Sequence, residues 1–187
     1  MEISDILNNI YRLPEESLDK FIRSVTEVEY PKRFLLHKQG RRETKSYFIK
    51  QGICRAYTYK NDKEITFWFG KEGDVAFPLQ TLFTGMDEYA NIELLEDSQL
   101  FEITLERLEV LYTTDIHLAT WGRKLVERTC IQTEQLFINR QFKTSTEMYQ
   151  ELIANYPDIT QRVPLGIIAS YLGISQVNLS RIRAKTR

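Results

Sequence analysis

Histidine and cysteine are nearly absent from this chain, two of each among 187 residues. Metal sites draw on His, Cys, Asp and Glu side chains that converge on one ion. His37 sits on a strand-like stretch and His117 near the start of a long helical one, so no convergent set is expected and no metal is assigned. Cys54 and Cys130 are too few and too isolated for a cysteine-ligated cluster, and both read as small buried hydrophobes with reduced thiols. A nucleophile elbow, a phosphate loop and a pair of catalytic carboxylates are also missing. The chain is therefore not expected to be an enzyme, and no cofactor is expected. With neither an 18-residue apolar run nor a signal-like N-terminus, no membrane partner is expected and the reading is a soluble, cytoplasmic protein. Charge of one sign is lacking too: 25 Lys and Arg stand against 26 Asp and Glu, a net −1.

That near-neutral total hides an uneven distribution. Residues 159–187 carry five Lys or Arg and no Asp or Glu, which leaves twenty basic against twenty-six acidic residues upstream. An acid-free, basic segment is what phosphate neutralisation requires. The same segment is patterned as two short helices. Pro164 suits a first helical residue because its missing N–H has no helical partner to lose. Leu165, Ile168, Ala169 and Leu172 then share one face at helical spacing. Gly173 supplies the positive φ that ends the first helix, Ser175 caps the second, and Leu179 and Ile182 form its buried side. The set Ala169, Gly173 and Leu179 is that of a helix-turn-helix: a small residue for close crossing, a glycine for the turn, a leucine to lock the pair. Gln176, Asn178, Arg181 and Lys185 then project outward as donors to base edges and phosphates.

Upstream, Ile3, Ile6, Leu7 and Ile10 predict a helix, and Glu15–Ser24 a second one. From Thr26 the pattern changes to short strands: around Val28, Tyr30, Phe34 and Leu36, then 46–50, 53–59, 64–69, 75–77, 91–95 and 99–103. Turn residues divide them at sandwich or barrel spacing, and 60–63 reads as a hairpin tip. Leu105–Tyr112 predicts a helix, and 116–142, free of proline, a single long one. Along it Leu118, Trp121, Leu125, Thr129, Gln132 and Leu136 approximate a heptad seam, which either pairs with a second copy or covers the chain's own sheet. Thr144–Tyr156 is a further helix. The fold class expected is α+β: an N-terminal antiparallel β-roll (double-stranded β-helix or jelly roll) with flanking helices over 1–115, a long dimerisation helix over 116–142, and a DNA-binding helix-turn-helix over 143–187.

This order of parts, with Phe48-Ile49-Lys50-Gln51-Gly52 and Lys71-Glu72-Gly73-Asp74 in the roll, resembles the Crp/Fnr-type transcription regulators, the family of the cyclic-AMP receptor protein. The resemblance spans nearly the whole chain. It implies a sequence-specific regulator that binds double-stranded DNA as a homodimer through 116–142, with RNA polymerase as a further partner. By position, it assigns base reading to Gln176, Val177 and Arg181, with Ser175 and its polar neighbours Asn178 and Lys185 completing the DNA-binding set. Val177 replaces an acidic residue of the family, so a different DNA sequence is expected. Relatives with a winged domain continue into a β-hairpin, whereas this sequence stops at Arg187.

The effector place departs further. Cyclic-nucleotide binders use a Gly-Glu pair for the ribose and an Arg-Ser pair for the phosphate. An ungapped count from Gly73-Asp74 finds Phe77-Pro78 and Glu88-Tyr89 at those places. A carboxylate where the phosphate-binding arginine belongs repels the phosphate. The site is degenerate for cyclic nucleotides, and the control expected is another effector, of unknown identity, or none. The candidate pocket comprises Phe77, Pro78, Leu79, Glu88, Tyr89 and Ile92, an apolar set that either lines a cavity or fills it. The alternative reading keeps the fold as a ligand or partner sensor that has lost DNA binding.

Overall fold

The computed structural model describes residues 1–186. Helices α1 (Ile3–Asn8) and α2 (Glu15–Ile22) lead into strands β1 (Thr26–Tyr30), β2 (Leu35–His37), β3 (Lys45–Gln51), β4 (Cys54–Lys60), β5 (Lys63–Gly70) and β6 (Val75–Ala76). A short helix α3 (Leu79–Thr84) precedes β7 (Asn91–Leu94) and β8 (Ser98–Thr104), and α4 (Leu105–Thr114) and α5 (Ile116–Phe142) follow. The chain ends in α6 (Ser145–Asn155), α7 (Ile159–Arg162), α8 (Leu165–Leu172) and α9 (Gln176–Thr186).

The strands form two antiparallel four-stranded sheets, ordered β1-β8-β3-β6 and β2-β7-β4-β5. Leu36, Tyr47, Ile49, Leu94 and Leu100 pack together as one core of the roll. Strands β3 and β8 are buried on both faces. Phe48, Phe101 and Ile103 point away from that core and meet Phe21, Leu118 and Trp121 from the helices. The run Ser46–Ile49 is accordingly buried without interruption, because a strand covered on both sides needs no polar alternation. At the β4–β5 hairpin tip Asn61 and Asp62 have φ of 50° and 59°, the left-handed pair a two-residue turn demands and these side chains tolerate.

Helix α5 is anchored by its first turns. The Asp115 carboxylate accepts from the N–H groups of His117 at 3.0 Å and Leu118 at 3.3 Å, and also from the Ser17 hydroxyl at 2.9 Å. Trp121 is fully buried and its Nε1–H donates to the Leu7 carbonyl at 3.0 Å. At Gly122 an added Cβ would stand 2.8 Å from the Tyr112 ring, so glycine is what lets α4 and α5 approach. The heptad-like seam therefore covers the chain's own roll: Leu118 and Trp121 enter the core, Leu125 packs against it, and Thr129, Gln132 and Leu136 line a cavity beyond. Elsewhere along α5 Val126 is exposed, as are Phe137 at 64% and Phe142 at 83%. Cys54 is buried as expected, whereas Cys130 is exposed, a position that apolar content alone does not reveal.

Candidate functional site

The terminal unit is built by its caps. Pro164 stands just before α8 as its cap, one place earlier than its fixed φ had suggested, and the helix begins at Leu165. Gly173 has φ 69°. The Gly173 N–H donates to the Ser170 carbonyl at 3.1 Å and the Ile174 N–H to the Ala169 carbonyl at 3.0 Å, the paired closure that a left-handed glycine permits. Ser175 Oγ then accepts the Asn178 N–H at 3.2 Å, a cap for α9. Leu179 is fully buried with Ile168, Ala169 and Leu172.

The six candidate DNA-binding side chains are exposed, but they are not equivalent. Val177, Asn178, Arg181 and Lys185 share one outward face of α9, as spacings of one, four and eight residues require. The Gln176 amide lies across α8, where a Cβ added to Gly166 would meet its Nε2 at 2.4 Å. Ser175 is occupied as the cap.

Helix α8 is stitched to the edge strand β5. The Ser170 hydroxyl donates to the Glu64 carbonyl at 2.8 Å and accepts the Thr66 N–H at 3.0 Å. The Tyr156 hydroxyl donates to the Phe69 carbonyl at 2.8 Å. Below these, Arg162 bonds Glu72 at 2.7 Å and Glu96 at 2.5 Å. Burial pushes the Glu72 carboxyl up, but Arg162 and the Gly52 N–H outweigh it and hold it below its usual range.

Between β5, α3 and α5 lies a cavity of about 230 Å³. Of the candidate pocket residues, Phe77, Leu79, Glu88, Tyr89 and Ile92 line it; Pro78 is buried at the head of α3 and does not. The apolar set bounds a space rather than filling it. Further walls come from His37, Phe67, Trp68 and the α5 side chains Thr129, Gln132, Thr133 and Leu136. Phe67 and Trp68 both reach the cavity because pairing slips there: Ala56 faces Trp68 whereas Tyr57 faces Thr66. Phe67 is the extra residue of a β-bulge, which breaks simple alternation. His37 Nε2 lies 3.0 Å from the Lys45 carbonyl, which makes that nitrogen the protonated one. Burial pushes the ring's pKa down to about 4, so it is uncharged at neutral pH. Glu88 is 7% exposed, and its Oε1 accepts the Thr81 N–H at 2.9 Å.

Residues 27–115 match the cyclic nucleotide-binding domain family. Solved structures extend the likeness through the terminal helices. A crp/fnr-family regulator from Eubacterium rectale aligns at TM-score 0.71 and 16% identity, over 93% of this chain and 85% of its own. The chain has the Crp/Fnr-type fold. FixK2 from Bradyrhizobium japonicum aligns at TM-score 0.68 and 19% identity over 86% and 83% of the two chains. CLP from Xanthomonas campestris, described as a c-di-GMP-responsive global regulator, gives 0.65 and 17% over 92% and 91%. No curated protein matches the sequence. Among the described residues of this Crp/Fnr-type fold, no helix is long and apolar enough to cross a membrane.

Proposed function

We propose that this chain is a sequence-specific DNA-binding transcription regulator of Crp/Fnr type, acting as a dimer and controlled through the roll cavity by something other than a cyclic nucleotide. The observation that carries the reading is the outward face of α9, where Arg181, Asn178 and Lys185 stand exposed on a capped helix in a segment without a single acid. Arg181 grips a guanine through O6 and N7, and Val177 makes apolar contact beside it. Lys185, Asn178 and Ser175 serve the phosphates, and Gln176 reads at the flank once its amide leaves Gly166.

Dimerisation uses an exposed flank of α5 beside the seam that covers the roll. Val126, Cys130, Thr133 and Phe137 follow a 4-3-4 spacing there and are all exposed, a stripe that suits a parallel copy of itself. Glu88 replaces the phosphate-binding arginine of cyclic-nucleotide sites, which argues against such a ligand. Strand β5 links cavity to DNA-reading unit. Phe67 and Trp68 wall the cavity, while their neighbours Thr66 and Phe69 hold α8 and Tyr156. An occupant that shifts the first pair moves the second.

Titration with duplex DNA at several salt concentrations tests the reading. Phosphate contacts predict an affinity that falls linearly on logarithmic axes as salt rises. Binding absent at low salt overturns it. Sedimentation of Phe137→Asp, expected to favour the monomer, tests the dimer face.

A further inference from the structure

Taking the roll cavity as the effector site, we propose that its ligand is a small organic ammonium ion. The walls point to this class. Phe67, Trp68, Phe77 and Tyr89 surround the space, with the Phe67 and Tyr89 rings 6.1 Å apart and 25° from parallel. Aromatic faces carry negative potential and attract cations. Among the described lining residues there is no Lys or Arg, and His37 spends its ring N–H on the Lys45 carbonyl.

Glu88 supplies the matching charge. Its backbone is fixed on both sides, the N–H donating to the Arg41 carbonyl at 2.9 Å and the C=O accepting from Gly40 at 2.8 Å. Of its two carboxylate oxygens, Oε1 accepts the Thr81 N–H, and among the described residues no hydrogen bond or ion pair engages Oε2. Among the described residues no cation pairs with the Glu88 carboxylate, and an entering ammonium supplies the missing counter-charge. An anionic ligand meets the opposite: a buried like charge with no group to neutralise it. A neutral ligand gains the apolar contacts but leaves the carboxylate unmatched. The cavity of about 230 Å³ lies below the usual range of drug-sized sites, which limits the ligand to a compact amine with one ring or a short chain.

Calorimetry on the full chain with three probes of similar shape tests the class: benzylammonium, benzyl alcohol and benzoate. Benzylammonium is expected to bind about tenfold or more tighter than the alcohol, the scale of a desolvated cation–π contact plus an ion pair, with benzoate weakest. In Glu88→Gln the preference for the cation over the alcohol is expected to shrink about tenfold while alcohol binding persists, with thermal unfolding checking that the variant folds. Equal affinity for the alcohol or the benzoate, an unchanged preference in Glu88→Gln, or no binding of any probe overturns the proposal. Measuring DNA affinity with and without each probe separates the two readings. Cation binding with no DNA binding at any salt leaves the ligand class standing and removes the regulator. DNA affinity that responds only to the neutral or anionic probe does the reverse.

Discussion

The roll cavity and the outward face of α9 are opposites in construction. The cavity is walled by aromatic rings around a carboxylate, with no Lys or Arg among its described lining residues. The α9 face presents Arg181 and Lys185 in a segment that contains no acid. The local charge of one disfavours anions and that of the other favours them, although the whole chain is nearly neutral at −1. Net charge is therefore a poor guide to partners here; the sign of each local surface decides what it takes.

The contrast can be sharpened first at its cavity end, where the expected effect is largest. His37 remains uncharged in the fold because burial pushes its pKa from 6.5 down to about 4. The unfolded chain binds the proton first as pH falls, so this contribution to stability is intact above about pH 6.5 and declines towards pH 4. The loss is on the order of 3 kcal/mol, read from denaturant unfolding at several pH values. His37→Gln, which can still donate to the Lys45 carbonyl, is expected to flatten that interval; an unchanged slope contradicts the assignment. At the other end, Arg181→Ala is expected to cost about 1–3 kcal/mol at the preferred DNA site and to relax discrimination at one base pair. Equal losses on preferred and random duplexes would show that Arg181 only neutralises phosphate. The smallest effect belongs to the joint between the two surfaces. Ser170→Ala leaves the Thr66 N–H and Glu64 carbonyl without their partner, a cost of about 1 kcal/mol, with faster hydrogen exchange at the Thr66 amide. Protection equal to wild type would remove β5 as the link.

Much of the architecture is legible in the chain itself because local signals agree with it. Gly173 needs positive φ and has it, and Asn61-Asp62 closes the hairpin. Ile168, Ala169 and Leu172 mark the buried face of α8 by their spacing, and all three are buried. The cavity is half legible. Glu88 and Phe77 follow from counting along the resemblance, but Phe67 and Trp68 enter through a bulge, which a single sequence does not announce. His37 and the α5 polar residues arrive from distant segments, and nothing local ties them to Glu88. The two faces of α5 are the hardest part. Leu118 and Trp121 are apolar and buried, Val126 and Phe137 apolar and exposed, and hydrophobicity alone does not tell a core-facing stripe from an exposed one. Helices α3 and α7, of six and four residues, are too short for periodicity to register.

The central claim is that exposed α9 reads DNA as one half of a symmetric pair. Selecting bound sequences from a pool of random duplexes tests it most directly. The account predicts an enriched two-fold-symmetric motif whose half-sites lie about one helical turn apart, roughly 34 Å, or a multiple of that. Recovery of no motif, or of a single unpaired half-site, contradicts it.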